Sequence, residues 1–238
     1  MSYYQSVRLK KKDLPEEIAW DGRRKEIQKP VQSGFDYEEW PIVRISKGAL
    51  KLDMAHWEFI PFWINDSGEL EQAREKHTTL NAKGETLLTS RMFSRAARER
   101  RCLMLSSGFY EWRHHRGKAY PYFITVKGKD LFYIAAVWQP WTDRSSGEHL
   151  ISFALITTKA NTLMARVHNK RKRMPVILPD ELAQEWMQKE LDEERIHELA
   201  TYQYPAEDME AYTIRKDFRE ALDPKEPFDY EGLPRIKL

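Results

Sequence analysis

Runs of apolar, β-branched and aromatic residues recur through the second half of the chain. Turn-forming residues at 127–129 and 145–147 separate several of them, as is typical of β-strands joined by turns. The runs cover residues 103–107, 120–126, 130–138, 150–158 and 174–178. We predict that they are successive strands of one sheet.

Helical patterns are fewer. They predict helices over residues 90–101, with Ser90 as the N-cap, over residues 161–167 and over residues 180–191. From Asp192 onwards the chain is predicted to be helical at first, and then irregular because prolines interrupt it.

The 238 residues, 41% of them hydrophobic, are enough to bury one substantial core, and no linker-like segment divides them. We therefore predict an α+β fold with a single compact domain over residues 1–238, on which residues 192–238 pack as a C-terminal extension. The sequence contains no apolar run of about 18 residues, so no membrane span is predicted. Residues 1–15 also lack the apolar segment of a secretory signal. The protein is expected in the cytoplasm.

The charge is polarised along the chain. Residues 180–238 contain eight Lys or Arg against 17 Asp or Glu, a net of −9, which leaves +11 for residues 1–179 because the whole chain carries +2. A basic body indicates a polyanionic partner, whereas the acidic part is also what a solvated helical face would give. Five of the eight tryptophans lie between Trp57 and Trp141, and a base or sugar could stack on any that is exposed.

Three polar side chains alternate in one short segment. Asn81, Lys83 and Glu85 would project to one face of an extended backbone. The alternative is a polar loop that leads into the predicted helix at Ser90.

Two further residues have the chemistry of proton transfer. Glu111 lies between Tyr110 and Trp112, where a carboxylate is expected to be partly desolvated and suited to acid–base work; the alternative is a strand-end glutamate paired with an arginine. His168 precedes the four basic residues 170–173, where a titrating imidazole could act on a ligand. A solvated turn with clustered charges is the alternative there.

Metal and nucleotide chemistry find no support in the sequence. The one cysteine, Cys102, lies in an apolar run and is predicted to be a buried small hydrophobe, so neither a disulfide nor a cysteine-rich zinc site is expected. His114 and His115 are adjacent and would point to opposite faces of a strand. We predict no metal and no cofactor, and the lack of a Gly-rich phosphate loop argues against a nucleotide-driven enzyme.

The order of several short motifs resembles one known family. They are W-x-x-I-P-x-W at 57–63, N-A-K-G-E-T at 81–86, T-S-R-M-F at 89–93, G-F-Y-E-W at 108–112, I-T-T-x-A-N at 156–161 and the segment 168–175. Each is weak alone, but together and in this order they resemble the SRAP family (SOS response-associated peptidase, the abasic-site processing proteins). The resemblance covers residues 57–178.

The resemblance implies a curved, barrel-like and mainly antiparallel β-structure with peripheral helices and a positively charged DNA groove. It also implies a protein that binds single-stranded DNA and captures the aldehyde of an abasic site with its own amino terminus, once Met1 has been removed. We expect the protein to be a monomer. Asn81 would then hold the sugar, Glu111 would assist proton movement at the α-amine, and His168 would act as general acid or base. The implied DNA contacts are phosphate contacts from Lys83, Arg91 and Arg173 and base stacking on Trp57, Pro61 and Trp63.

The chain departs from this family at its start. The family begins Met-Cys, and its thiol closes the imine into a thiazolidine, whereas this chain begins Met1-Ser2. A free amine on Ser2 can still attack an aldehyde, but a hydroxyl closes the ring poorly, so a reversible Schiff base is expected in place of a stable crosslink. Two explanations of Ser2 are open. It is the natural residue of a family member that forms no stable crosslink, or it is a substitution for a natural cysteine. The segment from His168 to Met174 is also longer than expected.

Two other classes of function stay open at this point. One is a noncatalytic module for single-stranded DNA, whose binding would depend strongly on salt. The other is a peptidase with Ser2 as an N-terminal nucleophile.

Overall fold

A computed structural model describes residues 3–20 and 24–236 of the protein. The described strands are β1 (Tyr4–Lys10), β2 (Glu26–Ser33), β3 (Glu39–Ser46), β4 (Ala49–Trp57), β5 (Asn81–Lys83), β6 (Arg101–Ser106), β7 (Gly108–His115), β8 (Lys118–Val126), β9 (Phe132–Thr142), β10 (His149–Lys159), β11 (Arg173–Pro175), β12 (Ile177–Leu178) and β13 (Met209–Thr213). The described α-helices are α1 (Ser67–Lys76), α2 (Ser94–Glu99), α3 (Thr162–Val167), α4 (Asp180–Trp186) and α5 (Glu193–Ala200), and short 3-10 turns lie at Lys11–Asp13, Gly34–Asp36, Gly84–Thr86 and Ala206–Asp208.

Five strands close into a barrel in the order β10, β4, β3, β6, β9 and back to β10. The β4–β10 pair, which aligns His56 with Ser152 and Trp57 with Phe153, is parallel, and the other four pairs are antiparallel. Each antiparallel pair reverses the strand direction, so a closed ring must contain an even number of antiparallel pairs. A ring of five strands therefore contains an odd number of parallel pairs. Closure leaves these strands no free edge within the ring.

A second, antiparallel sheet runs β13-β8-β7-β1-β2 beside the barrel. The chain passes from the barrel strand β6 into β7 at Gly108, whose φ is 155°. A Cβ there would lie 2.1 Å from the Phe123 ring, so the corner requires glycine. The barrel-like, mainly antiparallel β-structure with peripheral helices is confirmed.

The core is built around large aromatic side chains. Trp40, Trp57 and Trp186 are fully buried. Each indole N–H donates to a main-chain carbonyl, from Trp40 to Leu105 at 2.8 Å, from Trp57 to Leu80 at 3.1 Å and from Trp186 to Cys102 at 3.0 Å. These bonds remove the cost of burying a polar N–H. Cys102 is buried as predicted.

The predicted strands of the second half are present, but the prediction of one sheet is wrong, because β8 belongs to the second sheet and the other strands belong to the barrel sheet. Two predicted helices are shorter than expected. The helix predicted over 90–101 begins only at Ser94 and ends at Glu99. A turn precedes it, in which the Ser90 hydroxyl accepts from the amides of Met92 and Phe93. The helix predicted over 180–191 ends at Trp186, and α5 follows it as a separate helix. The prediction for 161–167 is confirmed, with Asn161 as a capping residue that accepts from the Met164 amide at 2.9 Å.

The strands β1 to β4 were not predicted. Their outward positions carry charged residues that interrupt the apolar pattern, as in β4, where Lys51 and Asp53 alternate with apolar side chains. Across the β3–β4 pair, Arg44 contacts Asp53 at 2.6 Å. Opposite charges on the outer face therefore pair across strands, and the inner face supplies the barrel core.

None of the helices in the described ranges is long and apolar enough to cross a membrane.

A buried carboxylate ties α1 to the barrel. Glu58 follows β4, and its carboxylate accepts from Arg74 of α1 at 2.6 Å and lies 3.1 Å from His56 Nε2. The Arg74 guanidinium also stacks on Tyr37 at 3.9 Å. Burial alone would raise the pKa of the Glu58 carboxyl, but the hydrogen bonds and charges of His56 and Arg74 outweigh burial and hold the pKa below its usual value.

We predict that Glu58→Gln lowers the free energy of unfolding at pH 7 by about 2 kcal/mol, because it leaves the Arg74 guanidinium without its buried partner. A lowered folded-state pKa contributes stability that is fully present above the ordinary pKa of about 4.3 and is lost as the pH falls through the folded-state value. The difference between wild type and variant should therefore shrink below about pH 5. Urea unfolding at several pH values measures it.

Glu75→Gln, at an exposed position of the same helix, is the matched control and should change stability little at any of these pH values. A gap between wild type and Glu58→Gln that stays constant from neutral to acid pH would contradict the assignment.

Candidate functional site

The pairing of β1 with β7 leads the start of the described chain towards Glu111. Tyr4 is aligned with Tyr110 and Gln5 with Phe109 in an antiparallel register, so Tyr3 comes next to Glu111. Burial raises the pKa of the Tyr3 phenol, the Arg171 charge lowers it and the Glu111 charge raises it, so both charges act on this ring. The Tyr3 carbonyl accepts from the Gly34 amide at 2.7 Å, which holds this end of β1 in place.

Glu111 and His168 come together although they are 57 positions apart in sequence. Both are buried, and His168 Nε2 lies 3.8 Å from Glu111 Oε2. His168 Nδ1 lies 3.0 Å from the Arg173 carbonyl, which can only accept, so Nδ1 carries a proton and Nε2 faces the carboxylate. The pair therefore places the second imidazole nitrogen beside a buried carboxylate.

The burial of Glu111 was expected, but its cause was not. Glu111 lies in the middle of β7 and not at its end. Because neighbouring side chains of a strand alternate, Tyr110 and Trp112 lie on the opposite face, where Tyr110 packs against Phe218. The flanking aromatics thus support the strand and do not enclose the carboxylate.

Arg173 is bonded within the protein. Its guanidinium donates to both oxygens of Glu85, at 2.6 and 2.9 Å, and to the Thr157 carbonyl at 2.7 Å. Burial would raise the pKa of the Glu85 carboxyl, but the hydrogen bond and charge of Arg173 hold it below its usual value. A phosphate contact from Arg173, as expected from the sequence, would have to compete with this bidentate pair.

The predicted common face of Asn81, Lys83 and Glu85 is wrong for the third residue. Asn81 and Lys83 belong to β5, which pairs in parallel with β10, but Glu85 lies in the 3-10 turn that follows and points to Arg173. Lys83 is exposed. Both side-chain polar atoms of Asn81 are buried and have no hydrogen-bond partner among the described residues. A buried amide in this state is the kind of group that a ligand satisfies.

Three residues were predicted to form a stacking surface. This is wrong for Trp57, which is fully buried in the barrel, and Pro61 is buried as well. Trp63 is 36% exposed, and its neighbour Phe62, which was not predicted, is 67% exposed. Their rings meet edge to face at 5.0 Å.

Arg91 extends this surface. Its guanidinium lies 5.3 Å from the Trp63 ring centre, and its side chain is exposed. The result is an aromatic and cationic patch formed by Phe62, Trp63 and Arg91, of the kind that stacks a base beside a phosphate.

The basic residues after His168 lie on a short loop. Lys170, Arg171 and Lys172 are exposed, and we call residues 169–172 the basic loop. Lys172 has a φ of 50° and its amide donates to the His168 carbonyl at 2.8 Å, which closes a tight turn. These three cations therefore lie beside the Glu111–His168 pair.

The acidic C-terminal part neutralises some of the basic body. Arg98 contacts Glu193 at 2.7 Å and Lys129 contacts Asp180 at 2.6 Å. In such ion pairs, carboxylates of the acidic C-terminal part compensate positive charges of residues 1–179. The cations of the basic loop form no such contact with residues 180–236.

The segment after α4 also supports the site. Gly84, inside the N-A-K-G-E-T motif, packs so closely on α5 that an added Cβ would lie 1.8 Å from the Ala200 carbonyl. Asn161, at the start of α3, donates to the Tyr204 carbonyl at 2.6 Å. Both segments that carry polar site residues, β5 and α3, are therefore held by the C-terminal part of the chain.

Comparisons with known proteins identify the family of this chain. A family model described as SOS response associated peptidase (SRAP) matches residues 4–221. The chain belongs to the SRAP family.

Among curated relatives, the chain is 34% identical over 166 residues to the abasic site processing protein YoqW of Bacillus subtilis, which covers 69% of each chain. It is 28% identical over 151 residues to the abasic site processing protein YedK of Escherichia coli, which covers 63% of this chain and 61% of that one. Among solved structures, a protein from Bacteroides thetaiotaomicron superposes with a TM-score of 0.82 at 28% identity, over 94% of this chain and 97% of the other.

We predict that Gly84→Ala destabilises the protein by about 3 kcal/mol, because the new methyl group collides with the Ala200 carbonyl and the main chain must move. Thermal unfolding measures the loss. Gly68→Ala is the matched control, since its Cβ would meet only the Asp66 carboxylate, at 3.3 Å, and alanine favours the α1 helix. Equal melting temperatures for the two variants would show that the contact between the turn after β5 and the end of α5 does not constrain the fold.

Proposed function

We propose that this protein binds single-stranded DNA and captures the aldehyde of an abasic site with the amino group of Ser2, after removal of Met1. Ser2 lies outside the described residues. The register of β1 on β7 is the observation that carries the proposal, because it directs the amino-terminal end of the chain to a buried carboxylate beside an imidazole. The family membership and the names of the relatives agree with it.

The chemistry is the reversible condensation of an amine with an aldehyde. The neutral α-amine attacks C1′ of the ring-opened deoxyribose and forms a carbinolamine; loss of water then gives an imine. Attack needs the amine to lose a proton, and dehydration needs a proton delivered to the leaving hydroxyl. One buried acid–base pair can serve both steps.

Glu111 and His168 have these two capacities. We propose that Glu111 removes the proton from the attacking amine. His168 protonates the sugar oxygen during ring opening and dehydration. The buried site keeps water from competing for these protons. In the reverse direction the same groups add water to the imine and release the amine.

Asn81 is assigned to the sugar. Its amide offers two donors and an acceptor, and both polar atoms are buried without a partner among the described residues. An abasic deoxyribose, which has hydroxyl and ether oxygens but no base, would satisfy them.

The strand is proposed to run between the basic loop and the patch of Phe62, Trp63 and Arg91. Lys83 and the three cations of the basic loop are assigned to the phosphates, since Arg173 is bonded to Glu85. Phe62 and Trp63 are assigned to the flanking bases. Single-stranded DNA fits such a site because its bases are free to stack.

We predict that sodium borohydride traps the wild-type protein on a single strand with one abasic site, because it reduces the imine to a secondary amine. Glu111→Gln and His168→Asn should lower the rate of trapping by about 100-fold, while an unmodified strand binds them as well as wild type. Denaturing gels measure trapping, and fluorescence anisotropy measures binding.

Glu220→Gln and His77→Asn, both at exposed positions, are the matched controls and should react like wild type. Binding without trapping in the wild type would favour the noncatalytic DNA-binding module. Retention of Met1, read by mass spectrometry, would contradict capture through the Ser2 amine.

We predict that Ser2→Cys produces an adduct that survives heat and denaturant without borohydride. The thiol attacks the imine carbon and closes a thiazolidine, a step that the weaker serine hydroxyl performs poorly. Ser145→Cys, an exposed thiol remote from the amino terminus in sequence, is the control and should give no such adduct. A heat-labile adduct from Ser2→Cys would count against residue 2 as the capturing residue.

A further inference from the structure

The Asn169 side chain makes a two-point contact with the backbone of β7. Its Nδ2 donates to the His114 carbonyl at 2.7 Å, and its Oδ1 accepts from the His114 amide at 3.0 Å. This is the pair of bonds that a residue of a neighbouring antiparallel strand would make. The Asn169 side chain thus makes the hydrogen bonds that the backbone of a neighbouring strand would make.

The position of this contact relates it to Glu111. β8 pairs with β7 from Phe109 to His115, so Asn169 bonds to the opposite edge, where β1 pairs with Gly108 to Tyr110. His114 lies four positions beyond Tyr110, about 13 Å along an extended strand. Glu111 lies between the end of β1 and Asn169.

Asn169 is also the residue that follows His168. Two contacts make the turn around His168 rigid: the Lys172 amide donates to the His168 carbonyl at 2.8 Å, and His168 Nδ1 donates to the Arg173 carbonyl at 3.0 Å. A displacement of Asn169 must therefore move the imidazole. Burial lowers the pKa of His114, and the charges of Lys170 and His168 lower it further, so the turn acts electrostatically on this part of β7.

We infer that Asn169 is a positioning residue, which sets the distance from His168 to Glu111 by fastening the basic loop to the strand that carries Glu111. This inference rests on the proposed function of that pair. Asn169 itself is assigned no contact with the reacting atoms. Proton transfer requires hydrogen-bond geometry in the reacting complex, so a displacement of about 1 Å at His168 would slow the reaction without removing any group that binds DNA.

The test separates rate from affinity. Borohydride trapping on an abasic single strand is followed at increasing DNA concentration, which gives a rate constant at saturation and a concentration for half-saturation. Asn169→Ala should lower the saturating rate constant by roughly 10- to 100-fold and change the half-saturating concentration by less than about twofold. Lys170→Ala changes the neighbouring residue and should instead raise the half-saturating concentration, with little effect on the saturating rate constant. It removes a proposed phosphate contact and leaves the turn intact.

A second variant keeps the test valid if Asn169→Ala folds poorly. Asn169→Asp retains the acceptor for the His114 amide but loses the donor to the His114 carbonyl, so its saturating rate should fall between those of wild type and Asn169→Ala. Amide hydrogen exchange at His114 in the DNA-free protein, measured by NMR, should be faster in Asn169→Ala, which confirms that the contact exists in solution.

Three outcomes would overturn the inference. A saturating rate for Asn169→Ala equal to that of wild type, unchanged exchange at His114, or a loss confined to the half-saturating concentration would each remove the positioning role. Failure of wild type to form any trapped adduct would instead reject the proposed function, and the positioning role with it.

Discussion

The alignment of β1 with β7 is the constraint on which the rest of the site depends. Antiparallel pairing with Tyr4 opposite Tyr110 leaves no freedom in where the chain end approaches, because a shift of one residue would turn every β1 side chain to the other face of the sheet. Val7 and Leu9 are fully buried on one of those faces, so the core enforces the register. Hydrophobic burial far from Glu111 therefore determines which residues lie next to it.

Two groups of cations differ in their surroundings. Arg44, Arg74, Arg101 and Arg173 are bonded to carboxylates or main-chain carbonyls and hold segments of the fold together. Those of the basic loop are exposed. A formal net charge near zero thus conceals a local excess of positive charge beside the Glu111–His168 pair, because neutralisation is concentrated elsewhere.

Sequence patterns predicted the strands of the second half because these strands are apolar on consecutive positions, as in β6 and β10, which are buried on both faces. They did not predict β1 to β4, whose outward charges resemble those of a loop until cross-strand partners such as Arg44 and Asp53 are known. Trp57 was misassigned for a related reason, since its burial follows from closure of the barrel and not from its neighbours in sequence. Asn169 left no sequence signal, because its partners are main-chain atoms that any residue at 114 would supply.

The candidate pair itself has a different status. Glu111 and His168 were placed in one site from the order of motifs, and local patterns alone left a structural role open for each of them. Their approach to 3.8 Å depends on three separate connections, through β7, α3 and the turn after it. Non-local geometry of this kind cannot be read from spacing.

The parity of the barrel limits how such proteins can diverge. One additional strand inserted between antiparallel neighbours would leave the ring with mismatched directions unless a second parallel seam formed, whereas a two-stranded hairpin preserves alternation. A single strand fits only at the parallel β4–β10 seam, where it would pair antiparallel with both neighbours. Elsewhere on this ring, lineages should therefore gain or lose secondary structure in hairpin-sized units.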